Sequence, residues 1–328
     1  MMLTWRRWLA AFAMSVLAAG ALAGAAQAQD WPTRPVRLVV PFPPGGGADT
    51  IARIVSARLA EIWGQQVVVE SRAGAGGNIA SEAVARSAPD GYTLYLAGDF
   101  QATNVFLYSK LSYDPVADFA PVSLVVQFPV AFVVPNSSPA RTVAEFIAHA
   151  KANAGRLTYA SPGHGTSPQL AAELFKRVAG IELIHVPYRG AAPAIQDLIP
   201  GRVDSFFNNI APVVPLMQQG QLRLLAVTSA QRAPAAPEVP TVAESGLPGF
   251  DVSGWYAFFV PARTAPAIVK KMQADTAAVL AEPAVKARLE QLGLFVVGST
   301  PEELGAYLKA EMEKWGAVIR AAGLKVGE

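Results

Sequence analysis

The sequence predicts an α/β protein with mostly parallel strands, on three observations. Short, continuously apolar runs such as Val36–Pro41 alternate with longer amphipathic stretches such as Asp49–Trp63. A run that is apolar at every position suits a strand covered on both faces, and an apolar residue every three or four positions suits a helix with one buried stripe. Glycine- and proline-rich loops separate the two types, and the strand–helix order repeats, as parallel sheets require.

The elements follow in order. Val36–Pro41 is the first strand, and the loop Phe42-Pro43-Pro44-Gly45-Gly46-Gly47 ends it. In the helix Asp49–Trp63, Ile51, Ile54, Val55, Leu59 and Ile62 share one face, and Gly64 is its C-cap. Val67–Val69, a second glycine-rich loop at Ala73–Gly77, a short helix at Asn78–Arg86, a turn at Pro89–Gly91 and a strand at Thr93–Ala97 come next. Val122–Phe128 and Ala131–Val134 read as two strands, then the helix Val143–Lys151. Strands at Leu157–Ala160, Leu183–Pro187, Val203–Phe207 and Leu222–Thr228 alternate with helices at Pro168–Ala179, Ala192–Leu198 and Val213–Gln219. After a Pro/Ala-rich connector at Ala233–Pro240 comes the strand Trp255–Val260, and three helical segments surround a last strand at Phe295–Val297. The final helix opens with Thr300-Pro301-Glu302-Glu303, a capping box with proline in the first turn.

Residues 1–28 read as a leader, not as fold. Arg6 and Arg7 precede an uncharged apolar run from Trp8 to Leu22, and Ala26-Gln27-Ala28 is a small-residue cleavage signal. The run is short for a membrane span, so a cleavable secretory signal is expected, with a soluble periplasmic product. The chain has 27 basic and 25 acidic residues, and loss of the two leader arginines brings them to parity. That balance argues against a nucleic-acid partner, which needs a basic field. With no cysteine among 328 residues, disulfides, cysteine-held metals, thiol nucleophiles and lipid attachment to cysteine are all excluded. His149, His164 and His185 lack metal-ligand spacing, so no metal and no cofactor is expected.

Three strand-to-helix loops carry the functional signal: residues 41–49, 161–167 and 186–190. Ligands of open parallel sheets bind beyond the strands' C-terminal ends, where helix N-termini expose unpaired N–H groups and favour an anion. Neither a P-loop nor a dinucleotide fingerprint is present, which points to a carboxylate rather than a phosphate. Arg189, in the third loop, suits either a ligand carboxylate or solvent.

The stretches PFPPGGGAD (41–49), RAGAGGNI (72–79), APDGYTL (88–94), VPYRGAAPAIQDLIPGRVD (186–204) and GWYAFFVPA (254–262) resemble the Bug family, the periplasmic substrate-binding proteins of tripartite tricarboxylate transporters. The resemblance runs from about Trp31 to the C-terminus. It implies a two-lobed periplasmic-binding-protein fold of type II-like form, each lobe a mostly parallel sheet flanked by helices. Two hinge crossings are implied, near Phe128–Val133 and Val252–Trp255. Lobe 1 would hold 29–130 and 253–328, and lobe 2 would hold 131–252. The implied function is capture of a small carboxylate between the lobes, without turnover, and delivery to membrane permease subunits by a monomer. The expected ligand-binding residues are Phe42, Pro44, Gly45, Gly46, Asp49, Asp99, Phe100, Gly163, His164, Gly165, Thr166, Ser167, Tyr188 and Asn208.

The segment Gly98-Asp99-Phe100-Gln101 departs from the family pattern, where small hydroxyl residues are common. Asp99 suits a ligand with a positive or donor group, and Phe100 a partly aromatic one; alternatively Asp99 caps the next helix. His164 either touches ligand or faces solvent. Trp255 and Tyr256 are either hinge packing or a ligand wall. Two other functions stay open at this point. A secreted hydrolase would need a dispersed Ser–His–Asp set, since no G-x-S-x-G elbow is present. A ligand-loaded partner of a membrane sensor would use the same pocket.

Overall fold

The computed structural model describes residues 31–325; the leader expected over residues 1–28 lies outside the described residues. The apolar runs become strands wrapped by helices. The order is β1 (Val36–Val40), α1 (Gly47–Trp63), β2 (Val67–Ser71), α2 (Asn78–Ala85), β3 (Thr93–Gly98), α3 (Phe100–Leu107), β4 (Phe119–Pro135), α4 (Val143–Ala152), β5 (Thr158–Ser161) and α5 (Ser167–Ala179). It continues with β6 (Ile184–Pro187), α6 (Ala191–Leu198), β7 (Ser205–Asn209), α7 (Val214–Gln218), β8 (Leu222–Val227), β9 (Ser253–Pro261), α8 (Pro266–Ala281), α9 (Pro283–Gln291), β10 (Phe295–Val296) and α10 (Pro301–Ala322).

The strands follow the path β2-β1-β3-β9-β4-β7-β5-β6, with β8 and β10 also paired to β4. β2, β1 and β3 are parallel to one another, as are β7, β5 and β6. Between these two parallel groups, β9 and β4 run antiparallel to each other and to their neighbours. β3 is buried at every residue, as its continuous apolar run requires.

The two strands expected on either side of Pro129 are one strand. β4 pairs with β9 as far as Phe128 and Pro129, and with β7 and β8 from Val130 and Ala131 onward. Proline lacks the ladder donor and is tolerated where a strand changes partners. The chain re-enters the first group of strands at Ser253. Thr228 and Val252 tie the return path to β4: Thr228 N–H donates to Val130 O (2.9 Å) and Val252 N–H donates to Thr228 O (2.8 Å).

Helix α1 packs on β1 and β2 and buries Ile51, Val55 and Leu59, and Gly64 closes it in the left-handed conformation at φ +60°. Ile62, expected on that face, is exposed, because the apolar stripe has turned outward by the last turn. The capping box of α10 forms: Glu303 N–H donates to Thr300 Oγ1 (3.2 Å) and Thr300 N–H to Glu303 Oε2 (2.8 Å). Its apolar stripe buries Leu304, Leu308, Trp315 and Ile319. α10 also reaches β9, where buried Glu311 accepts from Trp315 Nε1 (2.9 Å) and Trp255 Nε1 (3.3 Å).

Candidate functional site

The helix starts that follow β1, β3, β5 and β6 converge on one cavity. Its lining includes Phe42, Gly46, Gly47 and Ala48 from the first loop, Asp99 and Phe100 from the start of α3, and Pro162, Thr166 and Pro168 around the start of α5. Ala191 at the start of α6, Asn208 and Asn209 at the end of β7, and Phe128 and Tyr256 on β4 and β9 complete it. The N-cap residues of α1 and α5, Gly46 and Thr166, make no side-chain cap bond to their helices. Helix geometry leaves the first-turn N–H groups without partners inside the helix, so those of Gly47 and Ala48 are available to an acceptor in the cavity.

Three buried polar atoms beside this cavity have no hydrogen-bond partner: Ser167 Oγ, Asn208 Nδ2 and Asn209 Nδ2. Buried donors without partners are costly, on the order of 1–3 kcal/mol each. An acceptor such as a carboxylate answers all three. The walls are aromatic: Phe42 meets Phe100 edge-on at 6.0 Å, and Phe128 lies 5.0 Å from Tyr256. Burial, then the nearby Asp99 charge, raises the Tyr256 phenol above its usual range, so it stays protonated.

Asp99 occupies the N-cap position of α3 but makes no side-chain bond to that helix. Its carboxylate accepts the N–H of Ser167, at the start of α5, and the N–H of Trp255 on β9 (3.4 Å). Asp99 is almost completely buried, and burial pushes its carboxyl up to about 6, against the lowering effect of these N–H donors.

An outer chamber adjoins the cavity, sharing Phe42 and Pro162 with it. Gly163, His164, Tyr188 and Arg189 line it, opposite residues 74–77. Burial lowers the His164 imidazole, and Tyr188 Oη donates to Asp197 (2.8 Å).

Of the residues expected from sequence, Phe42, Gly46, Asp99, Phe100, Thr166 and Asn208 line the inner cavity, and Ser167 adjoins it. Gly163, His164 and Tyr188 face the outer chamber. Pro44, Gly45, Asp49 and Gly165 line neither. Asp49 accepts Gly45 N–H (3.1 Å) and the Arg53 guanidinium (3.0 Å), which shapes the first loop. Gly165 donates its N–H to Gln169 Oε1 (2.8 Å). Sequence reasoning did not single out Asn209 or Phe128. Adjacent asparagines at the C-terminal end of a strand are a readable signal for Asn209; Phe128 has none, because its place depends on where β4 changes partners.

Residues 51–324 match the family described as tripartite tricarboxylate transporter family receptor. The chain belongs to this family. R. palustris Rpa4515, solved with adipate, is 37% identical, with a TM-score of 0.88 over 90% of this chain and 100% of that one. Periplasmic binding protein BugD is 34% identical (TM-score 0.87, covering 90% and 100%). MatC from Rhodopseudomonas palustris, with bound malate, is also 34% identical (TM-score 0.84, covering 88% and 100%). The family is one of receptors, and the α/β architecture here is theirs.

One Ser–His pair of this receptor chain bears on the hydrolase reading. Ser161 Oγ lies 2.8 Å from His185 Nε2. Ser161 is fully buried, lines neither chamber, and its hydroxyl also engages the backbone of Gly163 at 3.2 and 3.3 Å. Those contacts hold the 161–167 loop. Burial, with smaller effects from His164 and Lys176, lowers the His185 imidazole to about 3.

Proposed function

We propose that this chain is a periplasmic solute-binding protein. It captures a small carboxylate between two lobes and delivers it to the permease subunits of a tripartite tricarboxylate transporter. The observation that carries this reading is the set of unpartnered buried donors, Ser167 Oγ, Asn208 Nδ2 and Asn209 Nδ2, beside two helix starts whose N-cap residues make no side-chain cap bond. The adipate and malate of the two Rhodopseudomonas structures support a carboxylate as the ligand class. The lobes are residues 29–130 with 253–328, and residues 131–252. Their separation at the partner change of β4 and at Ser253 suits a hinge. Only a ligand with greater affinity for the closed form can drive closure. The leader pattern at residues 1–28 supports export to the periplasm, and the protein acts as a monomer without catalysis.

The binding residues in this reading are Phe42, Gly46, Asp99, Phe100, Thr166, Ser167 and Asn208, joined by Asn209 and Tyr256. Gly163, His164 and Tyr188 sit along the entry path, and Pro44, Gly45, Asp49 and Gly165 hold the loops. A thermal-shift screen of mono-, di- and tricarboxylates tests the proposal. At least one compound is expected to raise the melting temperature strongly, since a ligand that binds only the folded state stabilises it. The same compound is expected to be recovered unchanged. Chemical conversion by the pure protein, or no stabiliser in any class, overturns the reading.

A further inference from the structure

The inner cavity places a buried carboxylate beside its unpartnered donors. Asp99 is 3% exposed; it accepts the backbone N–H groups of Ser167 and Trp255, and the Ser167 hydroxyl and its own N–H also act on its carboxylate. Among the described residues, no lysine, arginine or histidine lines this chamber. Among the described residues Asp99 has no ion-pair partner. Arg189 and His164 face the outer chamber only.

The groups that donate to Asp99 are all neutral, so none of them supplies an opposite charge. A buried charge without an opposite charge is costly, and two charges attract far more strongly in an enclosed site than in water. The same arithmetic runs the other way for a second anion. A dicarboxylate held by Ser167, Asn208 and Asn209 would bring two negative charges into a chamber that already holds one.

We infer that Asp99 is a specificity-determining residue that pairs with an ammonium group of the ligand, so that the preferred ligands are carboxylates bearing an ammonium group rather than plain dicarboxylates. This rests on the receptor reading above and narrows its ligand class. The ligand carboxylate takes the neutral donors of Ser167, Asn208 and Asn209 and the first-turn N–H groups of α1. The ammonium group pairs with the Asp99 carboxylate. The apolar stem between them lies on Phe42, Phe100, Phe128 and Tyr256. The chamber then carries a single net negative charge, that of Asp99, where a plain dianion would add two more.

Titration calorimetry at pH 8 tests this with matched probes: succinate against β-alanine, adipate against 6-aminohexanoate, and 3-phenylpropanoate against phenylalanine. For the wild-type protein the ammonium-bearing member is expected to bind at least tenfold more tightly in at least one pair. In Asp99→Asn that ratio is expected to fall at least tenfold, with dicarboxylate affinity unchanged or improved. Asp99→Ser, with a small hydroxyl, serves as a second variant, and thermal unfolding without ligand verifies that each variant is folded. If the ammonium-free member binds as tightly in every pair, or if the ratio survives both substitutions, Asp99 is a structural bridge and the inference is wrong. If no probe in any pair binds and citrate does not bind either, the receptor reading fails as well. Binding of dicarboxylates alone overturns the inference and leaves that reading standing.

Discussion

Asn209 packs its side-chain amide directly against the α-carbon of Gly47. A Cβ built on Gly47 would lie 2.8 Å from both Cγ and Nδ2 of Asn209. Gly47 opens α1 with ordinary helical backbone, so the requirement is for space and not for an unusual conformation. The contact closes one side of the inner cavity and joins the first loop to the end of β7.

Gly47→Ala is expected to push these two elements apart and to lower ligand affinity at least tenfold, about 1.4 kcal/mol. Gly305→Ala on α10 is the control, because Gly305 lines neither chamber and a Cβ there meets nothing closer than Pro121 Cγ at 4.0 Å. Titration calorimetry with the strongest stabiliser of the carboxylate screen compares the two. Equal affinities would show that the Gly47 contact does not govern closure.

Valine at Gly46 or at Gly165 looks, from sequence alone, like a substitution that weakens binding and spares the fold. The structure separates the two positions. Gly165 has φ +77°, and a Cβ there would run into Asn104 and lie 3.1 Å from Leu107 Cδ1. Left-handed strain costs roughly 1–3 kcal/mol and overpacking a similar amount. Gly165→Val is therefore expected to lower the melting temperature by roughly 5 °C or more. Scanning calorimetry without ligand measures it, and an unchanged melting temperature would contradict the packing described.

Asn208 carries a buried amide donor with no partner. Removing it relieves a cost on the order of 1–3 kcal/mol, which offsets the packing lost on truncation. Asn208→Ala is expected to leave the ligand-free melting temperature within about 3 °C of wild type and to weaken carboxylate binding tenfold or more. A large loss of stability with affinity intact would mean that the amide serves the fold.

Two buried groups give opposing pH dependences. Asp99 is raised from 3.8 to about 6, so on acidification the folded state takes up this proton before the unfolded one. Its contribution therefore favours folding increasingly as pH falls through about 6 towards 3.8. Ser167 and Trp255 N–H groups face it, with the phenols of Tyr256 and Tyr307 nearby, both kept protonated by burial. His185 is lowered from 6.5 to about 3, so the unfolded chain is protonated first and stability falls as pH drops below 6.5. Ser161, Tyr159, His164 and Lys176 surround it. Denaturant unfolding between pH 4 and 7, a window of about two to three units set by these shifts, separates the two. Asp99→Asn is expected to steepen the acid loss and His185→Gln to flatten it. Unchanged slopes would remove these residues as the cause.

Much of the fold was legible because local chemistry dictates it. The continuous apolar runs of β1 and β3, the Thr300–Glu303 capping box and the Gly64 terminus all appear where the sequence places them. Pro129 misled, since its missing donor matters only inside a ladder and β4 changes partners there. The sequence allows a helix after Asp99 but does not show the extent of the helix Phe100–Leu107. Its first turn buries Phe100, Gln101, Ala102, Thr103 and Asn104 on every side, which hides any amphipathic period.

The sequence by itself determined the fold class, the receptor family and three of the glycine-rich loops that reach the site, because each is written in contiguous residues. Only the tertiary structure decided which groups surround Asp99. Both a helix cap and a ligand contact are open to Asp99 in sequence; in the structure it makes no cap bond to α3 and accepts from two distant backbone N–H groups. Its partners, Ser167 and Trp255, lie 68 and 156 residues away. They come within reach of one carboxylate because β3, β9 and the start of α5 meet at the same edge of the cavity. Contacts of that range depend on packing, and no local pattern encodes them.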